Sequence, residues 1–208
     1  VRSMVDTSDE PLKEALRLAA SGNIIDYGAR RGVTRDEILE SVKHALEGDV
    51  DEQFYREFLK TAETATSILY VGDNSGEIVF DRVLVEHLPL EKVRFAVRGK
   101  PIINDATRVD AATAGIDKLV TVIDTGDNTP GINMERSSTE FLEAFADADM
   151  IIFKGQGNLE TMYNEDLSGY VKPGARLFFI LKVKCTYVSQ SLGRDIGDTV
   201  FMVRDGNG

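Results

Sequence analysis

A buried strand followed by a polar turn and an amphipathic helix is the most constraining feature of this sequence. The segment SILYVGDNSGEIVFDRVLVEHL places the apolar run Ile68 to Val71 before Gly72, and apolar residues at helical spacing follow from Ile78. From about Ser67 onward, strands and helices alternate, which is typical of parallel βαβ units. The carboxyl ends of parallel strands meet at one edge of a sheet, where ligands bind.

Hydrophobic periodicity predicts six strands and four helices after Ser67. The predicted strands are Ile68–Val71, Val93–Val97, Leu119–Ile123, Met150–Phe153, Leu177–Val183 and Thr199–Val203. The predicted helices are Gly76–His87, Thr107–Ala114, Ser138–Phe145 and a short one from Asn158. We therefore predict an α/β fold, a three-layer α/β/α sandwich with a mainly parallel, Rossmann-like sheet.

The first third of the chain is predicted to be helical. Apolar residues recur at helical spacing from Leu12 to Ala19, a capping box opens a second helix at Thr34, and a third helix covers VDEQFYREFLKTAETA. We expect a helical N-terminal lobe over residues 1–66 and an α/β core over residues 67–208. The lobe is expected to pack against the edge of the sheet that binds ligands.

The composition of the chain limits the kinds of partner that we expect it to bind. The formal net charge of −11 argues against nucleic acid or an anionic membrane as a partner, because both attract basic proteins. The sequence has neither a run of about 18 apolar residues nor a secretory signal, so we expect no membrane partner. A single cysteine, Cys185, excludes an internal disulfide and fits the reducing cytoplasm. With only two histidines, the chain lacks the ligands of a structural zinc site.

Asp, Asn and Gly are enriched in the loops that follow successive predicted strands. Asp73 and Asn74 follow the first strand, Asn104 and Asp105 follow the second, and Lys154 precedes the glycines of KGQGN. Because these loops share one edge of a parallel sheet, Asp73, Asn74 and Asp105 could converge on one ion. Two carboxylates and a carboxamide suit Mg²⁺ or Mn²⁺, and Lys154 could attract a phosphate. A hard cation beside an anion-binding loop suggests phosphate-ester chemistry.

Each of these signals also has an ordinary structural explanation. Asp105 before a helix is most often an N-cap, glycines after a strand usually serve turns, and a strand-end lysine is usually solvated. Lys182 and Lys184 alternate along a strand, either as a solvated edge or with one of them lining the phosphate pocket. Recurrence at several strand ends is what favours a functional site.

Several segments together resemble the metal-dependent damage-control phosphatases, formerly domain-of-unknown-function family 89. In chain order, these segments are AASGNIIDYGA, VGDNSGEIVFDRVLVEHL, VRGKPIINDAT, FKGQGNLETM and LKVKC. They occur in order from about Ala19 to Cys185, and they are most similar to the stand-alone microbial and archaeal branch. The resemblance implies a metal-dependent phosphomonoesterase that hydrolyses phosphate esters of small metabolites such as sugar phosphates.

The resemblance also implies roles for individual residues. It implies a divalent ion held by Asp73, Asn74 and Asp105, and catalytic roles for Asp73, Asn74 and Lys154. The residues expected to bind the substrate or its phosphate are Ser75, Glu77, Asn104, Gly155, Asn158, Asn23, Asp26 and Lys182. Asn23 and Asp26 would reach the pocket from the helical lobe.

The sequence leaves alternatives open. The ion could be Mg²⁺ or Mn²⁺, with Co²⁺ or Ni²⁺ as further candidates, and the attacking group could be a water molecule or Asp73 itself. A metal-dependent domain that senses a sugar phosphate without hydrolysing it is a second hypothesis. A third is an S-adenosylmethionine-dependent methyltransferase, which the acidic loop at Asp73 and Asn74 disfavours.

Overall fold

A computed structural model describes residues 2–21, 40, 42–43, 46 and 48–206 of the chain. Its strands are β1 (Ile68–Val71), β2 (Val93–Val97), β3 (Thr121–Asp124), β4 (Met150–Lys154), β5 (Arg176–Lys182) and β6 (Thr199–Asp205). Its α-helices are α1 (Arg2–Asp6), α2 (Pro11–Ala20), α3 (Glu52–Thr64), α4 (Ile78–Val85), α5 (Arg108–Ala114), α6 (Thr139–Asp147), α7 (Gly155–Met162) and α8 (Thr186–Leu192). Short 3₁₀ helices cover Leu90–Lys92, Ile116–Lys118 and Met134–Arg136.

The six strands form one sheet in the order β3-β2-β1-β4-β5-β6. Neighbouring strands from β3 to β5 are parallel, and β6 pairs antiparallel with β5 at the edge. The chain adds β2 and β3 on one side of β1 and then crosses to add β4 on the other. Such a reversal separates the loops that follow β1 and β4 and opens a crevice between them, which is where ligands bind in open α/β sheets.

Helices cover both faces of the sheet, which confirms the predicted three-layer sandwich. Helices α1 to α5 pack on one face, where the rings of Tyr70 and Phe95 stack with their centroids 5.0 Å apart. Helices α6 to α8 pack on the other, where Phe153 stacks on Phe179 at 4.9 Å. Successive strand residues alternate between the two cores, as the pleat of a strand requires.

The N-terminal helices share the first of these two cores. Helix α2 packs against α4, and the α3 rings of Phe54 and Phe58 lie 5.6 Å and 5.2 Å from the ring of Phe178 in β5. The described part of the lobe therefore packs on a face of the sheet and approaches the ligand-binding edge only at the end of α2. The helix predicted from Thr34 lies largely outside the described residues.

The predicted elements recur with shifted ends, and two of the described α-helices, α1 and α8, are additional to them. The helix expected from Asn158 begins three residues earlier, because Gly155 turns the chain directly out of β4 with a positive φ of 77°. Helix α8 was not predicted, since only Val188 of its seven residues is buried and the sequence shows no apolar period there. None of the described helices is long and apolar enough to cross a membrane.

Asp149, directly before β4, forms hydrogen bonds with the residues directly before β1. Its carboxylate accepts hydrogen bonds from Thr66 N and Thr66 Oγ1, both at 2.6 Å, and from Ser67 N at 3.1 Å, while Lys172 Nζ lies 2.6 Å away. Burial opposes ionisation of Asp149, but these donors outweigh it and hold the pKa of Asp149 well below its usual value.

We expect Asp149→Asn to lower the free energy of unfolding at pH 7 by about 1–2 kcal/mol, because it removes charge-assisted hydrogen bonds that are partly exposed to solvent. A depressed pKa in the folded state stabilises the protein above the unfolded pKa of about 4 and loses that effect as the pH falls below it. Urea unfolding at pH 7 and at about pH 3 should therefore show a smaller difference between wild type and variant at low pH. Asp147→Asn, which removes an exposed carboxylate 3.9 Å from Arg94, is the control, and a pH-independent difference for Asp149→Asn would contradict this account.

Candidate functional site

The loops after β1 and β2 are joined by backbone hydrogen bonds at the carboxyl edge of the sheet. Asn74 and Asp105 form an isolated antiparallel bridge, Ser75 N donates to Asn104 O at 2.8 Å, and Ala106 N donates to Asp73 O at 2.7 Å. The structure thus brings together the three residues that the sequence predicted as metal ligands. Asn104 is exposed and Ser75 half-buried on the outer side of this junction.

The second loop reaches this junction through a strained residue. Ile103 has a φ of +48°, the only positive φ at a non-glycine residue among the described residues, and its side chain is largely exposed. A β-branched residue in the left-handed region is costly and persists only where its surroundings enforce it. The backbone bonds of Asn104 and Asp105 to the first loop supply that constraint.

Asn74 orients the acidic side chains around it. Its Nδ2 donates to Asp73 Oδ2 at 3.1 Å and to Glu77 Oε1 at 2.8 Å, so its carbonyl oxygen is the atom it can offer to a cation. Glu77 Oε1 also lies 3.4 Å from Lys184 Nζ. Asp73, Asn74 and Glu77 are all nearly buried, with 8%, 4% and 5% of their surfaces exposed.

Negative charge is crowded at this junction. Burial first, and then the carboxylates of Glu77 and Asp105, raise the pKa of Asp73 to about 7. A site that favours a proton on an aspartate is one in which a cation would be stabilised in its place. No cluster of three or more His, Cys, Asp or Glu side chains with metal-site spacing occurs among the described residues, but two carboxylates and a carboxamide are oxygen donors that fit a hard divalent ion.

Gly155 brings the end of β4 against Asp73. It has a φ of +77°, and a Cβ atom at this position would lie 1.9 Å from Asp73 Oδ2. Only glycine allows both the left-handed backbone and this approach. Helix α7 begins at the same residue, so the N–H groups of its first turn lie at the crevice between β1 and β4.

Lys154 lies beneath the site rather than at its surface. Its Nζ donates to Asp81 Oδ1 at 2.6 Å and to Ala19 O at 2.7 Å, and only 1% of the side chain is exposed. Tyr70 OH donates to the same Asp81 oxygen at 2.9 Å. Burial lowers the pKa of Lys154, but Asp81 and Glu77 outweigh burial and keep it above its usual value. In this arrangement, the ammonium group compensates a buried carboxylate and positions the end of α2.

The remaining predicted residues occupy different environments. Asn158 is fully buried, and its carboxamide bonds to the backbone and to Arg98. Lys182 ends β5, half-buried and paired with Thr199 of β6. Asn23 and Asp26 lie outside the described residues.

One residue at this edge, Arg98, was not predicted from the sequence, and another, Lys184, was considered there only as an alternative to Lys182. Lys184, rather than Lys182, places its ammonium group near Glu77. Arg98 is buried beside Asp105, with its Nε 2.7 Å from Asp105 Oδ2. The signal for Arg98 was present in the sequence, since a charged residue directly follows the apolar run of β2.

A family model and a solved structure of the same family both match nearly the whole chain. The model of the "Damage-control phosphatase ARMT1-like domain" matches residues 1–200. A crystal structure of a protein of domain-of-unknown-function family 89 from Pyrococcus horikoshii superposes with a TM-score of 0.81 at 35% identity, covering 97% of this chain and 70% of that one.

Curated relatives come from archaea. An uncharacterised protein of Methanocaldococcus jannaschii is 39% identical and covers 98% of this chain. Proteins named damage-control phosphatase from Pyrococcus horikoshii and Archaeoglobus fulgidus are 38% and 32% identical and cover 90% and 97%. The matched regions span 67%, 63% and 68% of these relatives' own lengths, so the chain corresponds to about two thirds of each.

The contact between Gly155 and Asp73 can be tested with a matched pair of glycines. Gly174 has a similar φ of +83°, but a Cβ atom there would meet nothing within 4 Å. We expect Gly155→Ala and Gly174→Ala each to lose about 1–2 kcal/mol of stability from the left-handed backbone. Only Gly155→Ala should weaken Mn²⁺ binding, by about tenfold or more, because it displaces Asp73. Isothermal titration with Mn²⁺ measures this, and equal affinity in the two variants would show that the contact does not shape the site.

Proposed function

Because this chain belongs to the family of damage-control phosphatases with an ARMT1-like domain, we propose that it hydrolyses phosphate monoesters of small metabolites, such as sugar phosphates, with a divalent cation. The observation that carries the proposal is that Asp73, Asn74 and Asp105 meet where the loops after β1 and β2 join, beside the crevice between β1 and β4. A metal-dependent phosphatase needs ligands for a cation and groups that bind an anion at one place, and this edge offers both kinds of group.

In this proposal Asp73, Asn74 and Asp105 would hold the cation, Mg²⁺ or Mn²⁺, through their side-chain oxygens. When bound, such an ion neutralises charge that develops on the phosphoryl oxygens. Asn74 keeps its carbonyl oxygen available because its Nδ2 is engaged by Asp73 and Glu77. The backbone bonds between the β1 and β2 loops fix the spacing of the ligands before substrate arrives.

Lys184 is proposed as the lysine that contacts the phosphate. Its side chain is about one-third exposed and lies 3.4 Å from Glu77, whereas Lys154 is enclosed with Asp81. The net charge of −11 repels anionic substrates over the whole protein, so a local ammonium group is needed to attract one. The first turn of α7, which starts at the same crevice, would offer backbone N–H groups to the remaining phosphate oxygens.

Isosteric substitution of the ligands tests the proposed function. Asp73→Asn and Asp105→Asn should each lower metal-dependent phosphate release from p-nitrophenyl phosphate by more than about 100-fold, since loss of an outer-shell partner alone costs up to that much. The assay uses chelated protein reloaded with each divalent ion and a panel of sugar phosphates. Asp124→Asn is the matched control, because Asp124 also lies at a strand end but accepts bonds from Gly126 N and Arg108.

The outcomes separate the hypotheses. Metal-restored turnover that is lost in the Asp73 and Asp105 variants and kept in Asp124→Asn supports the proposal. Protein that binds metal and sugar phosphate but never releases phosphate would instead be a sensor. Retained turnover in Asp73→Asn would refute the assignment of the site.

Two neighbouring lysines test the phosphate contact. Lys184→Met should lower kcat/KM by about 10- to 100-fold, because it removes a charge-assisted hydrogen bond to the substrate, while Mn²⁺ binding is not weakened, since the lost ammonium group repels a cation. Lys182→Met, two residues earlier in the chain, should change kcat/KM by less than about twofold. Steady-state kinetics with a sugar phosphate measure both, and equal effects of the two substitutions would contradict the proposed role of Lys184.

A further inference from the structure

Arg98 forms a buried link between two elements of the site. It directly follows β2, and its Nε donates to Asp105 Oδ2 at 2.7 Å while its Nη2 donates to Asn158 Oδ1 at 2.8 Å. Its backbone N–H also donates to Ala106 O at 2.9 Å. Arg98 is 1% exposed, so the guanidinium group touches the site from below and leaves its surface open.

Asn158 fixes the orientation of this guanidinium group. Its Nδ2 donates to Gly72 O at 3.2 Å and to Lys154 O at 2.6 Å, which leaves Oδ1 facing Arg98. These two carbonyl groups lie at the carboxyl ends of β1 and β4. A continuous chain of hydrogen bonds therefore runs from Asp105 through Arg98 and Asn158 to both walls of the crevice.

Stability alone gives a poor account of Arg98 at this position. A buried arginine has a large desolvation cost, and its Nη1 has no hydrogen-bond partner among the described residues. The planar fork nevertheless allows one side chain to bond a carboxylate and an amide in fixed directions, which lysine cannot do. The arrangement fixes Asp105, because its Oδ2 accepts from Arg98, while its Oδ1 has no hydrogen-bond partner in the described part of the chain.

We propose that Arg98, locked by Asn158, is a positioning residue that sets the affinity of the Asp73–Asn74–Asp105 site for its divalent cation. This proposal rests on the proposed function only in taking these residues as the cation site. Outer-shell partners that orient a ligand typically contribute 10- to 100-fold to metal affinity. The single bond to Oδ2 also leaves Asp105 one oxygen to coordinate with, which suits the octahedral sites of Mg²⁺ and Mn²⁺.

Two variants test the proposal by different routes. Arg98→Lys keeps the positive charge but cannot bond Asp105 and Asn158 in the same geometry. Asn158→Ala removes the hydrogen bond that orients Arg98, and it changes neither Asp105 nor the net charge. Each should raise the dissociation constant for Mn²⁺ by about 10- to 100-fold, measured by electron paramagnetic resonance of free Mn²⁺. Arg136→Lys is the control, because Arg136 bonds Asp127 at the same distance of 2.7 Å in the loop after β3, and it should change the constant by less than about twofold.

A second readout distinguishes positioning from a structural role. Thermal unfolding with and without Mn²⁺ should show a smaller Mn²⁺-dependent rise in Tm for Arg98→Lys and Asn158→Ala than for wild type. Unchanged Mn²⁺ affinity in either folded variant, or an equal loss of Tm with and without the ion, would overturn the proposal. Wild type that binds no Mn²⁺ at this site would overturn it too, whereas binding without phosphate release would refute only the proposed function.

Discussion

The reversal of strand order between β1 and β4 is the constraint on which the site depends. It leaves a crevice in which Gly155, at the end of β4, packs against the carboxylate of Asp73, after β1. The chain turns from β4 into α7 at this glycine, so the helix begins where the contact is made. The position of Asp73 therefore depends both on the strand order and on the left-handed backbone of Gly155.

The same packing brings several negative charges close together. The carboxylates of Asp73, Glu77 and Asp105 are crowded in a largely buried region, and burial together with the two neighbouring carboxylates raises the pKa of Asp73. Arg98 and Lys184 offset part of this charge from opposite sides, one enclosed beneath Asp105 and the other partly exposed beside Glu77. The remaining excess of negative charge is what a divalent cation would balance.

Topology was the part of the site that the sequence could predict. Parallel strands bring their following loops to one edge, and this rule alone is enough to expect Asp73 close to Asp105. The direction of a strand-end side chain was harder to foresee. In β4, Ile152 and Lys154 share one face through the period of two, so Lys154 points toward α4 and meets Asp81 there. The motif predicts a phosphate contact for Lys154, whereas in the structure its ammonium group is bonded to Asp81.

The most direct test of this account is the position of Mn²⁺ in a crystal of the protein, located by anomalous scattering. The account predicts one peak at the crevice between β1 and β4, about 2 Å from an oxygen of each of Asp73, Asn74 and Asp105. A peak elsewhere, or none at this crevice in crystals soaked with saturating Mn²⁺, would contradict the central claim that these three residues form a cation site.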